Sequence, residues 1–348
     1  MKKVTLSFKD NAKFHIGEEL YDYISSDKLY SMIINALSYV ISADELNGII
    51  NLINKKVRIS SAFLGIKITK NNVSKNIDFL PKPYLLIKEK EISKEIEEEN
   101  LLNRKKYKNI MWISHQSFGS LSERYDLKED TIDYSFKNGF IVDGKYYIEN
   151  NEVEDDVRKV LEDYTPIQKD MLQKNTIDRY TKESINTYYD SFSILSTKEA
   201  EGIRIEPYFY FFIEDNEEIL KDKYIQALQF ISIGGKRSLG AGVIEEIIVS
   251  DYKFNIYDNQ KIYVNISMVY PEERDLSSIS KYSLENRNGF IFSKKSTSIK
   301  KPALRLIKEG SIFTGKVEGD IYTFKVEGIN HSIYVYGKAF LCPFGGER

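Results

Sequence analysis

One order of secondary structure, written near each end of the chain, limits what it can fold into. The opening "KKVTLSFKD" alternates Val4, Leu6 and Phe8 with polar neighbours, the period of a half-buried strand. Ser26 or Asp27 then caps a segment in which Leu29, Ile33, Ala36, Leu37, Val40 and Ile41 recur at helical spacing, predicting a helix over 27–42. A short helical pattern at 43–53 precedes "KVRISSAFLGIKIT", which reads as a strand interrupted by Gly65. Far along the chain, "GIRIEPYFYFFIED" reads as an aromatic strand. "NEEILKDKYIQALQFISI" then sets Ile219, Tyr224, Leu228 and Ile231 near one helical face, and "VIEEIIVSDYKF" closes as a strand. Strand–helix–strand followed by strand–helix–strand is the order of the split βαβ, or ferredoxin-like, unit.

The rest of the chain is fitted around that order. "FLPKPYLLI" holds Pro81 and Pro83 and is extended. "KEKEISKEIEEENLLNRKKYKNIMWIS" runs from acidic to basic, which suits a solvated helix with its macrodipole. From about 88 to 180 the chain is polar and irregular, and we assign it to an insertion. Beyond 250, strands are predicted at "KIYVNISMVY", "NGFIFS", "SIFTGKV", "YTFKVEG" and "SIYVYGKAFL", with one weak helical signal at "KPALRLI". The expectation is an α+β chain of two ferredoxin-like (RRM-like) domains. The first covers 1–250, with a glycine-rich loop and the insertion; the second, 251–348, is smaller and degenerate. No sequence repeat relates the two halves.

Between the second helix and its closing strand stands "GGKRSLGAG", Gly234 to Gly242, with four glycines around two adjacent cations. A dinucleotide fingerprint leaves a strand and opens a helix, the reverse of this setting, and no Walker A match exists. Glycines allow positive φ and close approach to a ligand. Loop amides cradle phosphate, and a guanidinium such as Arg237 forks onto it. A tight turn between two elements accounts for the glycines equally well.

Charge narrows the partners. Lys+Arg 50 against Asp+Glu 52 gives a net charge of −2, so a nucleic acid would have to meet a local patch. The single cysteine, Cys342, excludes an internal disulfide framework and a cysteine zinc cluster. His15, His115 and His331 form no helical pair, and no metal or other cofactor is expected. Asp155-Asp156 and Glu162-Asp163 read as a solvated helix face, and "EGD" at 318–320 as a hairpin turn. No apolar run reaches membrane-spanning length and the N-terminus carries no signal-peptide pattern, so a cytoplasmic protein without membrane contact is expected.

Four segments occur in a telling order: "FHIGEE…ISSDKLYSMIINAL", "NTIDRYTKESIN", "GGKRSLGAG" and "HSIYVYGKAFLCPF". Together they resemble the RAMP superfamily of CRISPR effector proteins, whose hallmark is a glycine loop at this position, and within it the subunit 4 family of the type III-A (Csm) complex. The resemblance implies a structural subunit that holds the repeat-derived 5′ handle of crRNA. It would contact the Cas10-type large subunit and the first backbone subunit, Csm subunit 3. The residues it points to are Gly234, Gly235, Lys236, Arg237, Ser238, Gly240 and Gly242 in the loop. His15 and the stretch Ser25, Ser26 and Lys28 join them, and Arg179, Thr181 and Lys182 are expected to line the same RNA groove. Ser26 also reads as a helix cap, and Arg179 as a surface ion pair with Asp178.

Two other functions remain open at this level. A related RAMP family, the Cas6-type endoribonucleases, shares the glycine loop and cleaves crRNA precursors without metal. Such cleavage needs a general base near the 2′-hydroxyl, and His15 and His115 are the loop-placed candidates. A protein–protein scaffold would use the loop only as a joint, and Tyr208, Tyr210 and Phe212 as core or interface.

Overall fold

In the computed structural model the described residues are 1–15, 22–87, 106–126, 131–132, 136–235, 239–254, 262–293, 296–326 and 331–345. The N-terminal alternation becomes β1 (Lys2–Ser7), with Val4 and Leu6 fully buried. A three-residue strand, β2 (Ala12–Phe14), follows, then α1 (Ser26–Val40) and α2 (Ala43–Lys56). Ser42 caps α2 by accepting from the Glu45 amide, with Asp44 and Glu45 in the first turn and Lys55 and Lys56 in the last. Next come β3 (Phe63–Lys70) and β4 (Val73–Pro81).

Within the segment expected to be irregular, β5 (Trp112–Ser114), α3 (His115–Glu123), β6 (Gly139–Val142), β7 (Tyr146–Glu149) and α4 (Asp155–Glu162) are regular elements. The strands hold three or four residues each, too few to display a period in the sequence. Two long strands, β8 (Ile167–Ile177) and β9 (Ser184–Leu195), form an arm. β10 (Ile203–Glu214), α5 (Asp222–Gln226) and β11 (Glu246–Asp251) complete the N-terminal part.

β11, β1, β10 and β3 are successive neighbours in the main sheet, each antiparallel to the next. β4, β5, β7 and β6 continue it beyond β3. Val4 lies opposite Phe211 and Leu6 opposite Phe209, while Lys3 and Thr5 lie opposite Phe212 and Tyr210 on the other face. The outer edge, β11, is partly satisfied from within: the Gln226 and Gln229 side-chain amides donate to the carbonyls of Ile247 and Glu245 at 3.0 and 3.2 Å.

The C-terminal part is built on Ile262–Asn265, which pairs with Ile312–Phe313 on one side and Leu341–Phe344 on the other. Leu304–Ile307, in the segment with the weak helical signal, is a strand paired with Leu284–Arg287. Cross-strand partners, including a two-way backbone exchange between Val269 and Ile307, override local propensity there. This part docks on the N-terminal helices: the Ile59 amide donates to Tyr336 at 2.8 Å, and the Tyr30 and Tyr336 rings stack at 5.1 Å. No described helix is long and apolar enough to cross a membrane.

Candidate RNA-binding site

β2 is the hub of the site. On one edge, Phe14, Lys13 and Ala12 pair antiparallel with Ser193, Ile194 and Leu195 at the root of the arm. On the other edge it holds the glycine loop: the Gly242 amide donates to the Lys13 carbonyl at 2.8 Å, and the Gly235 amide to the His15 carbonyl at 2.6 Å. The loop is closed on itself by the Ile233 amide, which donates to the Gly242 carbonyl at 2.7 Å.

That closure explains the glycines. Gly242 has φ +68°, and a Cβ there would overlap the Ile233 carbonyl. A Cβ on Gly235 would stand 2.9 Å from His15 Nδ1, and Gly234 and Gly240 have φ of 84° and 80°. Lys236, Arg237 and Ser238 lie outside the described residues. His15 is therefore brought to the loop, with its ring edge-on to Phe192 of the arm at 6.0 Å. Beside it, Lys13 pairs with Asp170 at 2.9 Å. Sequence reasoning missed Lys13, Asp170 and Phe192, because strand pairing across more than 150 positions brings them together.

Ser25 and Ser26 are turned inward. Both are buried: the Ser26 hydroxyl accepts from the Met268 amide at 2.9 Å, and the Ser25 hydroxyl accepts from Arg287 at 2.8 Å. Asp27 takes Arg287 as a two-pronged partner at 2.9 and 3.1 Å. The capping expectation for Ser26 gives way to this docking role; the N-cap residue is Ser25, without a side-chain cap bond. Lys28 is half-buried on the first turn of α1.

Arg179, Thr181 and Lys182 sit at the exposed tip of the arm. The expected ion pair with Arg179 is replaced by a turn: Asp178 accepts the amides of Tyr180 and Thr181 at 2.7 and 3.0 Å, which lowers its carboxyl pKa. From Ser193 to the tip is ten residues of strand, roughly 33 Å. The tip thus stands that length of strand beyond the root of the arm at β2.

Two candidate surfaces are closed. Tyr208, Tyr210 and Phe212 line the sheet face that RRM-type modules use for stacking bases. Here His115 of α3, Tyr252 and Phe254 pack against Tyr210 and Phe212, which are fully buried. His115 is itself committed. Tyr210 donates its hydroxyl to the Phe79 carbonyl at 2.6 Å, so the imidazole Nε2, 3.3 Å away, carries the proton. Nδ1 then accepts from Tyr252 at 2.9 Å, and burial lowers the pKa to about 4. A neutral ring bonded through both nitrogens is no general base. His331 is exposed and bonded to the Ser332 carbonyl.

Known proteins resemble this chain in sequence and in fold. A family model described as the CRISPR Csm4 C-terminal domain matches residues 258–344. The CRISPR system Cms protein Csm4 of Methanocaldococcus jannaschii is 28% identical over an alignment covering 100% of this chain and 99% of that protein. Among solved structures, a chain of a Csm3–Csm4 subcomplex in the type III-A CRISPR-Cas interference complex has a TM-score of 0.61 and 22% identity. The match covers 99% of this chain and 100% of that one. A chain of a Csm1–Csm4 cassette in complex with cA4 has a TM-score of 0.52 and 16% identity, with 100% of both covered. The two structural likenesses speak to the fold, and the full-length likeness to Csm4 carries the sequence. The full-length similarity to a Csm4 protein, together with the match of residues 258–344 to the Csm4 C-terminal domain, supports reading this chain as a Csm4-like protein.

Proposed function

We propose that this chain is the non-catalytic subunit that caps the repeat-derived 5′ handle of crRNA in a type III-A effector complex. One observation carries the reading: a single three-residue strand holds the glycine loop on one edge and an exposed arm on the other. The loop is pinned at Gly235 and Gly242 by its own amides. Between those pins lie Lys236, Arg237, Ser238 and Gly240, the segment we assign to the handle phosphates. Gly234 and His15 complete the clasp. Arg179, Thr181 and Lys182 are assigned to a second RNA contact along the strand, and Lys28 to its margin. Ser25 and Ser26 are left out because their hydroxyls serve the domain junction.

The same reading takes 1–250 as a ferredoxin-like domain interrupted at about 88–180, and 251–348 as a degenerate second one. The neighbour order β11, β1, β10, β3 supports the first. The similar structures are of Csm3–Csm4 and Csm1–Csm4 assemblies, which supports docking to the backbone subunit and to the Cas10-type large subunit.

The test uses purified protein with labelled crRNA, with and without its 5′ handle, in EDTA. Handle-dependent retention of intact RNA, weakening steeply with salt, is expected. Discrete cleavage at the repeat would make the protein an endoribonuclease. Neither binding nor cleavage would leave a protein–protein scaffold.

A further inference from the structure

At the seam between the C-terminal part and the start of α1, a carboxyl group is buried that the RNA reading does not use. Glu309 is 3% exposed. Its Oε1 accepts from the Ser61 hydroxyl, and its Oε2 has no hydrogen-bond partner. Ser61 Oγ accepts in turn from the Ser26 amide at 2.9 Å, at the head of α1. Ser26 Oγ accepts from the Met268 amide at 2.9 Å, and the Ser61 amide donates to the Ile266 carbonyl at 2.9 Å. One relay therefore ties the first turn of α1, the 60–62 crossing and the C-terminal part to a single carboxyl group.

The surrounding charges do not neutralise it. Lys308 pairs with Glu285 at 3.3 Å, and Arg287 is held by Asp27 and Glu285. Lys301 acts on the Asp27–Arg287 pair, and the Lys82 ammonium donates to the Tyr107 carbonyl at 3.0 Å. Tyr23 and Tyr84 complete the set, and both feel Glu309 and Glu285. A carboxylate here loses its hydration with only the Ser61 hydroxyl and its own backbone amide to offset the loss. Burial, with Glu285 adding to it against Ser61 and Lys308, raises the Glu309 pKa from 4.5 to about 7.

We propose that this seam is a proton-sensitive joint, docked while Glu309 carries its proton and loosened when it ionises. The folded value lies above the unfolded one, so the contribution is complete below the unfolded pKa of 4.5 and is lost as pH rises through about 7. Raising pH loosens the joint, and acid tightens it. Because Glu309 speaks to α1 through Ser61, the head of α1 and the 60–62 crossing are released together.

The full-length protein and its Glu309→Gln variant are compared by thermal melting and hydrogen exchange between about pH 6 and about pH 8. Wild type should lose about 2 °C more than the variant over that step. Its exchange, corrected for intrinsic rates, should accelerate in peptides spanning 24–30 and 59–62 while the variant stays flat. Equal losses in both proteins would overturn the joint. Should Glu309→Gln not fold, Glu309→Met supplies the permanently uncharged comparison. Flat wild-type exchange across the step overturns the proposal by itself.

Discussion

The Ile233 amide donates to the Gly242 carbonyl at 2.7 Å, and a Cβ on Gly242 would overlap the Ile233 carbonyl. The loop is thus shut by a backbone contact that tolerates no side chain. Gly242→Ala should cost about 1–3 kcal/mol and abolish handle binding. Gly240→Ala meets open space and carries only the positive-φ penalty, about 1 kcal/mol. Urea unfolding of both variants checks the ranking; equal costs would mean that the closure does not exist.

Ser26 offers the converse experiment. Ser26→Ala leaves the buried Met268 amide without its acceptor, a loss of about 1–3 kcal/mol in chemical denaturation. RNA affinity of the folded fraction should not change. A large loss of affinity at unaltered stability would return this serine to the RNA site.

The arm and the loop should act independently. Changing Arg179 and Lys182 to alanine, and separately Lys236 and Arg237, should each lower the slope of log affinity against log salt. Together the losses should sum to within about 0.5 kcal/mol, because Arg179 and Lys182 stand roughly 33 Å of strand from the root of the arm, against the roughly 10 Å over which coupling is usual. Strong non-additivity would put both on one stretch of RNA contact.

His115 predicts a pH dependence of opposite sense to that of Glu309. Its folded pKa, about 4, lies below the unfolded 6.5, so the unfolded chain takes up the proton first. Stability is therefore lost as pH falls from 6.5 towards about 4. Measured in a Glu309→Gln background to remove the opposing titration, His115→Phe should flatten this acid limb. A limb of unchanged slope would mean that the ring is protonated in the fold.

The order of the main-sheet strands could be read because β1 and β10 are long enough to show their pattern, and α1 because Leu29, Ile33, Ala36 and Leu37 mark one face. β5, β6 and β7 were not legible: each is too short to show a period, and β5 is held to β4 and β7 by partners distant in sequence. The loop glycines were visible as a cluster, but the reason for each lay in Ile233 and His15. Ser25 and Ser26 misled because a polar stretch before a helix looks the same whether it faces solvent or Arg287 and Met268.

β2 is three residues long, yet it is the common bearing for the loop and the arm. The arm is a two-stranded ribbon that extends roughly 33 Å from that strand. Tyr180, 96% exposed, stands at its far end, while Lys13 and His15 at its foot carry the loop on their carbonyls. Three residues of backbone thus serve as the common foundation of two surfaces that are otherwise built apart.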